Sequence, residues 1–138
     1  MINSGYAITG VSLIDIDHEQ LATYMDEAQE SAREGKAVAV VDALRQLTKL
    51  FEIHCSDELA LLVRATTSHV LGELVKLRRD QEQLLVGLEM TIETALGLRQ
   101  RDLIHRLEYL TDAMWSCFAR EEELMQRETR ACRPQLVN

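Results

Sequence analysis

The sequence predicts an all-α protein, an up-down-up-down four-helix bundle with an extended N-terminal arm. Three observations predict it. Four long segments carry apolar residues at the three–four spacing of a helix. The connections between them are short and marked by Gly or by small hydroxylated residues. No stretch alternates apolar and polar residues as a strand would, and Val38 to Val41 is too short and too deep in a helical pattern to count. Short connections between long helices favour antiparallel neighbours, hence a bundle.

Residues 1–13 lack helical period, contain two Gly, and read as the arm, with Tyr6, Ile8 and Val11 able to pack on the helices. The bundle is expected over 14–130. Its first helix starts near Asp15 or Asp17, acids that suit a cap or first turn, and runs through His18, Leu21, Met25 and Ala28. Gly35 is placed to end it in a left-handed cap. The second helix runs from about Ala37 to Arg64 with Val40, Val41, Leu44, Leu47, Leu50, Phe51, Leu61 and Leu62 inward, and Cys55 pointing away. A break at Ala65 to Ser68 precedes the third, whose seam is Val70, Leu74, Leu77, Gln81, Leu84, Leu88, Thr91 and Ala95. The fourth follows Gly97 to Gln100 with a seam at Leu103, Leu107, Leu110, Met114, Cys117, Glu121 and Leu124. Residues 131–138, with the one Pro, are expected to fray.

A chain of 138 residues, 46% apolar and 28% charged, suits one ordered domain with one core. A net charge of −8 repels nucleic acid and anionic membrane alike. No apolar stretch approaches the ~20 residues of a membrane span, and no signal-peptide pattern opens the chain. Cys55, Cys117 and Cys132 form neither a CxxC pair nor an even framework, so reduced thiols and a cytoplasmic location are expected.

The informative residues are the polar exceptions to the apolar seams. His54 and Glu58 stand one turn apart on the inward face of the second helix, and His18 lies on that of the first. An imidazole and a carboxylate aimed at a bundle core are costly unless something satisfies them, and a metal ion satisfies both. Folding at the connections brings His18 level with His54, Glu58 with about Glu73, Leu77 with Glu121, and Gln81 with Cys117. The exceptions therefore collect in one layer. The rival reading of that layer is a metal-free, hydrogen-bonded His–Glu–Gln cluster.

These residues resemble the motifs of the hemerythrin family, in particular its bacterial single-domain form. Ser12-Leu-Ile-Asp-Ile-Asp-His-Glu-Gln-Leu21 is similar to the family's I-D-x-x-H-x-x-L, with His18 at the ligand histidine. His54-Cys-Ser-Asp-Glu58 is similar to H-x-x-x-E. The third motif, two histidines four apart, resembles Leu77-Arg-Arg-Asp-Gln-Glu-Gln-Leu-Leu85, but here the positions hold Leu77 and Gln81. The fourth, His then Asp five residues on, resembles the run around Cys117 and Glu122. The resemblance implies a non-haem iron bundle in which one iron takes two histidines and the other three, bridged by two carboxylates. His18, His54, Glu58 and Glu122 would survive as the set of one ion, while the histidines of the second are gone. A single-metal site is therefore expected ahead of a rebuilt two-metal one, holding iron or else Mn or Zn. Motif spacing selects Glu122, whereas the helical period turns Glu121 inward. Gln81, Cys117, Glu121, His69 and Glu73 are reserve ligands. His69 and Glu73 also read as a solvated flank, Cys117 as a buried apolar residue, and His105 as surface.

The function so implied is an O2, NO or redox sensor, carrier or store. Its partner would be a small diatomic ligand. The alternative is a metal-free hemerythrin-like bundle acting as a protein-interaction or signalling module, with a homodimer among its forms. No nucleophile–base pair or phosphate loop supports hydrolysis or group transfer, and no enzyme activity is assigned.

Overall fold

A computed structural model describes residues 12–65 and 71–132. They form α1 (Ser12–Arg33), α2 (Ala37–Ala65), α3 (Leu71–Thr94) and α4 (Gln100–Cys132), with a 3₁₀ turn, Ala95–Gly97, after α3. The helices pack as a four-helix bundle, with no strand among the described residues. None of them is long and apolar enough to cross a membrane. Most of the expected arm, the break after Ala65, His69, Val70 and the tail after Cys132 lie outside the described residues.

α1 begins at Ser12, three residues ahead of Asp15, so Asp15 sits in its first turn, where a carboxylate faces the positive end of the helix dipole. It ends at Arg33 and is closed by Gly35, whose φ of 75° is the left-handed cap expected there. The amides of Gly35 and Lys36 turn back to Ala32 O and Ser31 O at 3.0 and 2.8 Å. Gln100 Nε2, at the start of α4, closes the same end by donating to Ala32 O and Arg33 O at 3.1 and 2.8 Å. α4 continues through Cys132, past the expected limit near residue 130.

The seams of α3 and α4 are buried as expected, from Leu74 to Ala95 and from Leu103 to Leu124. On α2 two expectations fail. Leu61 is 38% exposed, and Cys55, expected to point away, is buried. The buried face of α2 takes in Phe51, His54, Cys55, Glu58 and Leu62, which turns Leu61 toward the rim. Among the described residues the apolar interior falls into two clusters. One holds twenty buried residues, from Leu21 and Met25 to Phe118; the other holds Leu62, Leu74, Leu77, Leu124 and Met125. Between them lies a polar layer.

Candidate metal centre

Four side chains from three helices meet in that layer: His18 from α1, His54 and Glu58 from α2, and Glu121 from α4. Each is at most 1% exposed. One donor atom from each lies within 4.8 Å of the others. Each stands at an inward position of its own helix period, so packing the apolar seams forces these polar groups together.

Glu121 is the hub. His18 Nε2 donates to its Oε1 at 2.6 Å and His54 Nε2 to the same atom at 2.8 Å. The His18 ring stacks on Phe118 with centroids 3.9 Å apart and planes 15° from parallel, which holds the imidazole in place. His54 is also gripped from behind, by Asp17 Oδ2, 3.2 Å from its Nδ1. A carboxylate on the far nitrogen of a histidine fixes the tautomer and the ring plane, as it does behind metal-ligating histidines. Gln81 Nε2 donates to Glu58 Oε1 at 2.7 Å and reaches Glu121 Oε2 at 3.4 Å.

One buried atom in the layer is left over. Glu58 Oε2 meets no hydrogen-bond donor, and its nearest cationic partner is His54 Nε2 at 3.7 Å. Two carboxyls facing each other in a dry interior need either a shared proton or a cation. The electrostatics agree. Burial first, then the charge of Glu121, pushes the Glu58 carboxyl well above the usual range, with the Gln81 amide pulling the other way. Burial alone would raise Glu121 too, but hydrogen bonds from His18, His54 and the Glu58 carboxyl outweigh it and hold Glu121 well below the usual carboxylate range. Burial pulls His54 down, yet Glu121 and Asp17 together leave it above 6.5.

Two imidazole nitrogens and two carboxylate oxygens are a suitable donor set for a divalent first-row ion. Donors sharing one ion at ~2.0–2.2 Å stand ~3–4 Å apart, close to the spacing here once the two short hydrogen bonds open. The layer is thus a buried His/Glu group that can hold a metal; without one, a proton sits between the Glu58 and Glu121 carboxyls.

The other candidates fall elsewhere. Glu122, selected by motif spacing, lies half-buried on the flank of α4 and accepts from Gln126 Nε2 at 3.3 Å. Glu121 takes the inward place because it continues the seam of Met114 and Cys117, one residue short of the motif count. Glu73 pairs with Arg127 at the α3–α4 surface and does not reach Glu58; the partner from α3 is Gln81, two turns further on. Cys117 is buried outside the four-residue group, and burial, then Glu121, pushes its thiol up to about 12. Burial and the same carboxylates also raise Cys55. Both thiols pack as small apolar groups in the larger core cluster. His105 is exposed beside Glu108, as expected.

Asp17 is a site residue that the seams alone do not single out. A signal is present nonetheless: it stands one turn before Leu21 and two before Met25 on the inward stripe. Comparison with known proteins adds no relative: no family model, no curated protein and no solved structure matches the chain.

Proposed function

We propose that this bundle is a hemerythrin-like metal-binding protein with one non-haem ion, iron in the first place, held by His18, His54, Glu58 and Glu121. In this reading it serves as a sensor, carrier or store for O2, NO or redox state. The observation that carries it is the convergence of two buried carboxyls, Glu58 and Glu121, with two buried imidazoles, His18 and His54, their donor atoms within 4.8 Å of one another. An iron ion there would supply one-electron chemistry and open positions for a small diatomic ligand. The chain's own groups would do the rest. Asp17 would keep the proton on His54 Nδ1, leaving Nε2 for the ion. Phe118 and Leu77, both fully buried, would keep water out.

A metal-free interaction module is the second reading. The observation favouring it is that Glu121 Oε1 already accepts from both imidazoles, which satisfies most of the layer without an ion. Metal analysis of untagged protein purified without air separates the two. The metal reading expects close to one equivalent of iron, or of another single transition metal, lost in His54→Ala. Protein that carries no metal, gains no thermal stability from added Fe(II), Mn(II) or Zn(II), and is no different in His54→Ala would end it.

A further inference from the structure

We infer that Gln81 sets how many oxygens Glu58 and Glu121 can give to an ion, and so limits the layer to one ion. This rests on the metal reading above. The two carboxylates are divided in the same way. On one side, Glu58 Oε2 lies 3.7 Å from His54 Nε2, and Glu121 Oε1 lies 2.6 and 2.8 Å from the two imidazoles. On the other side, Glu58 Oε1 and Glu121 Oε2 both face Gln81 Nε2, at 2.7 and 3.4 Å.

The amide orientation follows from chemistry, because its carbonyl oxygen turned this way would oppose two carboxylates. An NH2 group brings two hydrogens, one for each outer oxygen, and no lone pair for a cation. Gln81 is 2% exposed, so no water competes for those oxygens cheaply. An ion among the imidazoles then receives one oxygen from each carboxylate and four protein donors in all. A second ion beside it would need the outer oxygens, which the amide already holds. Leu77, one turn earlier on the same buried face, brings no donor to replace them. Gln81 touches no ion in this account; it is a positioning residue.

The test compares the full-length chain with Gln81→Met, which has similar length and no donor, and Gln81→Glu, which keeps the shape and adds a carboxyl. Zn(II) and Mn(II) affinities come from competition with a chromophoric chelator, ion counts from native mass spectrometry, and folding from circular dichroism. The wild type is expected to take one ion of either metal. In Gln81→Met both carboxylates are free to bind through both oxygens, so the Mn(II)-to-Zn(II) affinity ratio is expected to rise ~10-fold, since added oxygen donors favour the harder ion. Gln81→Glu is expected to take a second ion, and its count decides where Gln81→Met does not fold. One ion in every protein with an unchanged ratio would overturn the role of Gln81 and leave the metal site standing. A wild type that binds neither ion would overturn the metal reading itself.

Discussion

His18 Nε2 lies 2.6 Å from Glu121 Oε1, joining residues 103 apart in the chain. The first and last helices of the bundle thus meet through a charged hydrogen bond in its interior, and Glu121 supports α1 and α2 together.

Replacing Glu121 by Gln removes the anion that both imidazoles face. Breaking a buried ion pair in this way is expected to cost ~3 kcal/mol in the metal-free protein and to abolish metal uptake. Glu122→Gln, on the flank, is expected to stay within ~0.5 kcal/mol of wild type and keep its metal. Urea midpoints followed by circular dichroism, with metal content, check both. Equal effects at the two positions would count against Glu121 as hub.

The layer also fixes a pH dependence. Glu58 and His54 have folded pKa values above their usual 4.5 and 6.5, so their stabilisation is complete below those values and is lost as pH rises through the raised ones. Glu121 works in reverse, stabilising above 4.5 and losing effect as pH falls through its lowered value. Stability of the metal-free protein is therefore expected to fall as pH rises above 4.5, and Glu58→Gln to flatten that slope. An ion must displace the same protons, so its affinity is expected to rise ~10-fold per pH unit for each proton released. Calorimetry in buffers of different ionisation enthalpy counts them.

Cys117, with its thiol at about 12, should hold a thiolate fraction of about one in ten thousand at pH ~8. Cys117 and the similarly raised Cys55 are expected to resist iodoacetamide in the native protein and to label fully in urea. Peptide mapping reads each site separately.

Gly35 offers a control remote from the layer. Its φ of 75° strains any residue with a Cβ, so Gly35→Ala is expected to cost ~1 kcal/mol and leave metal affinity unchanged. A thermal melt and one metal titration suffice.

His18, His54 and Glu58 are legible in the sequence because each interrupts an apolar period, and a polar residue in a seam shows without knowledge of its neighbours. Glu121 is legible by period and obscured by a motif count one residue longer. Asp17 is hidden by ambiguity, since an acid in the first turns of a helix also suits the dipole. The meeting of Glu58 with Gln81 depends on how α2 and α3 are joined, and a seam read along one helix does not fix register across a connection. Cys55 escapes a single-stripe reading because the covered face of α2 is wider than one stripe.

The placing of the polar layer inside the apolar interior has a kinetic consequence. Among the described residues, apolar packing borders the polar layer on both sides, with Leu62, Leu74, Leu77, Leu124 and Met125 on one and the larger cluster on the other. Water therefore reaches the layer only when some of that packing parts. Any ion the layer holds is then expected to enter and leave at the rate of such openings, far more slowly than at a surface site.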